Sequence, residues 1–193
     1  MSTDHRENAK AWFILNAENP SDASQSQSGT PLTYLGLDES LEIIEKELQH
    51  TKDRENGCND NDKTTLTAIL GFSQGGVLAH ILSQLAQREP DRFGAIRAVM
   101  IASGFSAQHV PEPSSRYNTG QLPDREAIHN LPSLHLIGKN DTSVDPSLSL
   151  ELVQIFDKSE ILWHDKGHIV PQKSAECARV VAFLDSCRNT PYH

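Results

Sequence analysis

The sequence lacks what would take a chain into a membrane or onto nucleic acid. None of its apolar runs approaches the ~20 residues that a membrane-spanning helix needs. Positive charge is in the minority: 17 Lys and Arg stand against 26 Asp and Glu, a formal net charge of −9. Nucleic acid or an anionic bilayer would meet like charge, so neither is expected as a partner. Cysteine is scarce, and Cys58, Cys177 and Cys187 are scattered, odd in number and without metal-ligand spacing. That usage argues against a disulfide framework and a metal site, and fits a reducing setting, cytoplasmic or nuclear. The N-terminus, Met-Ser-Thr-Asp-His-Arg-Glu-Asn, has no apolar region of the secretory kind.

What is present suffices for a single domain with one substantial core over residues 1–193. Residues 1–10 and the low-complexity stretch 20–30 read as frayed chain and loop. The organising stretch is Thr64 to Gln87. An apolar, partly β-branched run, Thr64 to Leu70, reads as a buried strand. Val77, Leu78, Ile81, Leu82 and Leu85 then share one face of a helix. Between them stands Gly71-Phe72-Ser73-Gln74-Gly75. A strand that becomes a helix within four residues needs a sharp corner, which glycines permit. Such a corner exposes the Ser73 hydroxyl above the sheet. It also sets the backbone N–H of Gln74 at the positive end of the helix, where it could donate to an oxyanion.

Around this unit, Asp38 is expected to cap a helix through Leu41, Ile44 and Leu48 that ends near His50, followed by a solvated loop over 52–63. Ala11 to Leu15 reads as strand-like, Ala95 to Ala102 as a second buried strand, and the proline-containing segment 110–123 as a long connector. Further strands are expected at Leu134–Ile137 and Glu160–His164. Helices follow each, one through Leu148, Leu152, Val153 and Phe156, the last over Lys173–Cys187 with Val180, Val181 and Leu184 inward. Alternating strands and helices predict an α/β chain with a parallel sheet.

Ligands of such sheets sit beyond the carboxyl ends of the strands. Ser73, Asp141 and His168 each fall just past such an end. A serine hydroxyl needs a base to accept its proton, and the base needs a carboxylate to orient it. Ser73 is therefore the candidate nucleophile, His168 the base and Asp141 the orienting acid, in the chain order of α/β-hydrolases. Asp145 is the rival acid and His164 the rival base. His80, on the nucleophile helix, reads as a packed neighbour. Phe72, Phe105 and Val144 are the candidate pocket walls, apolar as an acyl chain would require. No cofactor is expected.

These motifs resemble the FSH family of serine hydrolases. The matching pieces are Ala11-Trp12-Phe13, Gly36-Leu37 with Ser40, Gly71-Phe72-Ser73-Gln74-Gly75, Ser103-Gly104-Phe105, Gly138-Lys139-Asn140-Asp141 and Gly167-His168-Ile169-Val170-Pro171. The resemblance implies an α/β-hydrolase-like parallel sheet flanked by helices, hydrolysis of carboxylic acyl esters, some with long chains, through an acyl-enzyme, and Ser73, Asp141 and His168 as the triad. The acyl-protein thioesterase and carboxylesterase group shares Gly-Phe-Ser-Gln-Gly and is the alternative. Against the family pattern, the first core strands and a second oxyanion donor, usually on a His-Gly loop, are expected to be missing. A missing donor costs about 3 kcal/mol of transition-state stabilisation. The same loss would leave Leu66 to Leu70 as an apolar sheet edge, open to self-association. A catalytically impaired remnant acting only in binding is the further alternative.

Overall fold

A computed structural model describes residues 14–15, 34–57, 66–107 and 126–188. The expected loops at 1–10, 20–30 and 110–123, together with Trp12, Phe13 and Cys58, lie outside these residues. Two short strands, β1 (Ile14–Leu15) and β2 (Tyr34–Leu35), pair antiparallel. Helix α1 (Leu37–Gly57) follows. Strand β3 (Ala68–Phe72) leads into α2 (Gln74–Arg88), then the single turn α3 (Pro90–Phe93) and β4 (Ala98–Ala102). The chain continues through β5 (Ser133–Gly138), α4 (Pro146–Val153), β6 (Ser159–His164) and α5 (Ser174–Arg188).

Strands β3, β4, β5 and β6 form one parallel sheet in sequential order. Their carboxyl ends therefore lie side by side along one rim. Each face carries its own core. On one, α1 and α2 bring Leu41, Leu48, Val77, Ile81 and Leu85 against Val99 and Ile101. On the other, Phe183 and Cys187 of α5 meet Ala98, Met100, Leu134 and Leu136. Alternation along β4 sends Val99 and Ile101 to one core, Met100 and Ala102 to the other, as a strand covered on both faces requires. The α/β-hydrolase-like sheet read from the sequence is the observed architecture.

Helix α2 is buried from Gly75 to Leu85, polar His80, Ser83 and Gln84 included. It is a core helix rather than a one-sided surface helix. Burial of Val77, Leu78, Ile81, Leu82 and Leu85 contributes on the order of 10 kcal/mol to anchoring it, at about 1.5–3 kcal/mol each.

Several expectations need correction. Helix α1 runs to Gly57 instead of ending near His50, so 52–57 is helix and not loop. One side-chain pair at i,i+4, Gln49 with Asp53 at 2.9 Å, reaches into this polar stretch. Lys52 Nζ also donates to the Asp91 carbonyl at 2.5 Å. Asp38 lies inside the first turn of α1 and acts on the helix dipole there, not as a cap. In α5, Val181 is 55% exposed, whereas Phe183 and Cys187 are buried. The inward face follows the spacing 180, 183, 184, 187, and Val181 sits about 100° away from it. Strand β3 starts later than Thr64 and runs into the glycine motif as far as Phe72. It is not a buried strand either: among the described residues it pairs only with β4, and Leu70 is 55% exposed.

Candidate active site

The corner between β3 and α2 has the sharpness that the motif requires. Ser73 has φ 53° and ψ −117°, a left-handed conformation that non-glycine residues rarely adopt. Its N–H donates to the Ala102 carbonyl at 3.0 Å, and its carbonyl accepts from Gly76 N–H at 2.8 Å. These bonds fix the residue between the sheet and the first turn of α2. A side chain at Gly71 would collide with the Gly75 backbone, so strand and helix can approach this closely only through glycine. Gln74 is the first residue of α2, which sets its backbone N–H at the positive end of the helix.

Two strands away, β5 ends at Gly138 and the chain turns through Asp141. The Asp141 side chain is buried, and one carboxylate oxygen, Oδ1, accepts from the N–H groups of Ser143 and Val144 at 2.9 and 3.0 Å. This is an Asx-type turn. The other oxygen, Oδ2, accepts from Nδ1 of His168 at 2.9 Å. Burial alone would raise the Asp141 pKa. The hydrogen bonds from Val144, His168 and Ser143, with the nearby Ser103 hydroxyl, outweigh it and hold the carboxyl below its usual value.

His168 lies in the loop after β6, and the acid and histidine loops interlock. A Cβ on Gly138 would come within 2.5 Å of the Gly167 carbonyl oxygen, so the absence of a side chain at 138 lets the loops meet. The imidazole also packs against Phe72, ring centroids 4.8 Å apart, which places it beside the β3–α2 corner. Among the described residues, no hydrogen bond joins the Ser73 hydroxyl to the His168 ring. Such bonds are often long or poorly aligned in unliganded sites.

The sequence left two rivals open, and the geometry separates them. Asp145 caps α4, accepting Ser147 N–H at 2.8 Å. His164 is 2% exposed, and neither ring nitrogen has a hydrogen-bond partner. Asp141 and His168 face each other instead. His80 is buried in the core on α2, as a packed neighbour should be. Of the expected pocket walls, Phe72 is 38% exposed, Phe105 is half-buried against the α2 core and Val144 is buried, its backbone serving Asp141.

Sequence reasoning gave no role to Ser103, which stands at the end of β4 between Ser73 and Asp141. The available signal was a serine-glycine pair ending a buried strand next to the strand that leads to Ser73. Among the described residues no group of three or more His, Cys, Asp and Glu is arranged to hold a metal ion, and no helix is long and apolar enough to cross a membrane.

A family model described as serine hydrolase (FSH1) matches residues 1–180. The chain is 28% identical over 182 residues to esterase C25G4.2 of Caenorhabditis elegans, covering 94% of this chain and 72% of that protein. It is 30% identical over 186 residues to esterase OVCA2 of Xenopus tropicalis, covering 93% of this chain and 67% of that protein. Against esterase OVCA2 of Bos taurus it is 30% identical over 156 residues, 80% of this chain and 60% of that protein. It thus spans between about three-fifths and three-quarters of these relatives' lengths. Among solved structures, fungal esterases of Rhizomucor miehei superpose with a TM-score of 0.53 at 13% identity, over 78% of this chain and 59% of that one. Acyl-protein thioesterase 2 of Zea mays superposes with a TM-score of 0.50 at 15% identity, over 93% and 73%. At such identities the likeness speaks for the fold alone.

Proposed function

Because the chain belongs to the FSH1 family of serine hydrolases, we propose that it cleaves carboxylic esters of small molecules through an acyl-enzyme on Ser73. The observation that carries this reading is the His168–Asp141 hydrogen bond of 2.9 Å, on the rim where Ser73 is held in a left-handed corner.

In this reading the carboxylate fixes the imidazole by its Nδ1–H, which leaves Nε2 to take the Ser73 proton. The freed oxygen adds to the acyl carbonyl, and the oxyanion is met by the Gln74 N–H at the head of α2. The His168 proton then passes to the departing alcohol. Water repeats the sequence: Nε2 removes its proton, the acyl–Ser73 bond breaks, and the carboxylic acid leaves with Ser73 restored. Asp141 stays ionised and stabilises the imidazolium that forms in each half. No metal or organic cofactor takes part. Phe72, beside the imidazole and partly exposed, would meet the acyl chain, with Phe105 and Val144 behind it, so apolar acyl groups are favoured over charged ones. Cys177 and Cys187 are free thiols, in keeping with a reducing cytoplasmic setting.

A fluorophosphonate probe tests the proposal. Wild-type protein should label covalently, and Ser73→Ala should abolish labelling and lower kcat by up to about 10⁶-fold. Labelling that survives in Ser73→Ala, or folded wild-type protein that never labels, would defeat it. Oxygen esters and thioesters of equal acyl length, offered side by side, then separate esterase from thioesterase.

A further inference from the structure

Ser103 is the second serine of the fold held in a left-handed backbone conformation, with φ 47° beside 53° at Ser73. Among the described residues only Asn130 shares this feature without being glycine, and asparagine tolerates it. A serine in that region is strained, and the strain is kept only where the surroundings enforce it.

The surroundings do enforce it. Phe72 and Ala102 are register partners on β3 and β4, so Ser73 and Ser103 follow side by side at adjacent strand ends. Ser73 N–H donates to the Ala102 carbonyl and Ser103 N–H to the Leu136 carbonyl, both at 3.0 Å. The path along the rim thus runs from Ser73 through Ser103 to the β5 end that carries Asp141. Ser149 of α4 fixes the turn from the far side, its hydroxyl donating to the Gly104 carbonyl at 2.6 Å. The Ser103 side chain is buried, and its hydroxyl completes no hydrogen bond of full geometry. It nonetheless lies near enough to the Asp141 carboxylate to help keep that group ionised. A buried hydroxyl that falls short of a partner is costly. Strain and burial at one residue are both accounted for if the hydroxyl serves the carboxylate.

We propose that Ser103 is a positioning residue for Asp141, its left-handed turn aiming a hydroxyl at the carboxylate from the β4 side. The inference rests on the reading of Ser73, His168 and Asp141 as a hydrolytic triad. The contacts from Ser143 and Val144 arise within the acid's own loop and move with it. A donor anchored to the neighbouring strand holds the carboxylate relative to the sheet, and so relative to Ser73.

Two variants separate the hydroxyl from the backbone. Ser103→Gly removes hydroxyl and strain together; Ser103→Ala removes the hydroxyl and keeps the strain. The readouts are kcat and KM on a short-chain aryl ester, and the NMR chemical shift of the His168 Nδ1 proton, which needs no turnover. A carboxylate that loses a donor becomes a stronger acceptor for the hydrogen bond it keeps, so the Nδ1 proton should move downfield in both variants. Less firm placement of the acid should lower kcat about tenfold with KM nearly unchanged. An unmoved Nδ1 proton in both variants overturns the proposal. So does a defect in Ser103→Ala that Ser103→Gly lacks, since the backbone alone would then explain it. Should wild-type protein turn over no ester, the NMR shift still decides the placement of Asp141, and failure of the hydrolase reading is seen separately.

Discussion

Lowering the pH from 7.5 to 5 should destabilise the fold well before any carboxylate is protonated, because of two buried imidazoles. His80 on α2 and His135 on β5 are each 1% exposed and pack around Phe156, with ring centroids 6.4 and 5.3 Å away. His80 Nδ1 accepts the Ala107 N–H at 3.0 Å, and Nε2 has no hydrogen-bond partner. His135 Nε2 meets the Ser133 hydroxyl at 3.1 Å, and Nδ1 has none. Neither ring can shed a proton's charge to solvent. Burial pushes the His80 pKa down to about 4, and burial with the neighbouring His80 pushes His135 down to about 3, from an ordinary 6.5. Both groups are therefore neutral in the native protein where they are charged in the unfolded chain. Stability is complete above pH 6.5 and falls as pH drops toward the native values. At pH 5 each unfolded-state imidazole gains about 2 kcal/mol from proton uptake that its native counterpart lacks, or about 4 kcal/mol together. That is a large share of the roughly 5–15 kcal/mol that holds a typical domain. His164, its pKa lowered chiefly by burial, acts in the same direction. Asp141, Asp145 and Asp165, whose pKa values are lowered, contribute stability that is lost only nearer pH 4 and below. Urea unfolding followed by circular dichroism at pH 7.5, 6.5 and 5 reads the loss directly, and His135→Gln should remove about half of it by the same arithmetic. An unchanged urea midpoint between pH 7.5 and 5 would refute the reasoning, as would a native His80 or His135 ring titrating near 6.5.

Two further outcomes follow from the site and the sheet. Asp141→Asn keeps the shape of the turn but cannot hold His168 in the required tautomer; kcat should fall by on the order of 10⁴-fold, and a loss under tenfold would remove Asp141 from the chemistry. The β3 edge, unpaired on one side among the described residues and carrying exposed Leu70, was expected to support self-association; sedimentation should show a concentration-dependent dimer that Leu70→Lys abolishes, and a wild-type monomer at high micromolar concentration would sink the expectation.

The readable parts of this fold were those whose signal is local. Periodicity located β4 and β5 to within a few residues, since strands covered on both faces are continuous apolar runs such as Ala98–Ala102; β6, only partly buried, was marked by its shorter apolar run Ile161-Leu162-Trp163. The β3–α2 corner was readable because its glycines are demanded by close approach at Gly71. What stayed hidden depended on contacts distant in sequence. The extension of α1 to Gly57 draws on Lys52 reaching Asp91, thirty-nine residues away. The outward turn of Val181 is set by which stripe of α5 meets β4 and β5, and hydrophobicity alone does not choose between neighbouring stripes. At the site, residue type and strand-end position nominated Ser73, Asp141 and His168. Only the fold could separate Asp141 from Asp145, because a helix cap and a buried hydrogen-bond acceptor call for the same side chain. Ser103 was invisible for a related reason: a small polar residue after a strand is ordinary, and its conformation is not written in its identity.

The placement of Ser73 on the outermost described strand raises the question of what keeps it still. Among the described residues, strand β3 has ladder partners on one side only, from Ala68 opposite Ala98 to Phe72 opposite Ala102. An edge strand held by one ladder is the part of a sheet most ready to fray. The corner, however, is tied more firmly to the helix than to the strand. Helix α2 is buried on all sides from Gly75 to Leu85, and the Ser73 carbonyl accepts the N–H of Gly76 within its first turn. The residue is also clamped from β4 through Ala102, at the strand end where Ser103 begins its own left-handed turn. Moving Ser73 would mean moving a core helix, at a cost set by its buried aliphatic side chains rather than by the edge hydrogen bonds of β3. Rigidity at Ser73 and exposure of the strand beneath it are therefore compatible, because they draw on different parts of the core.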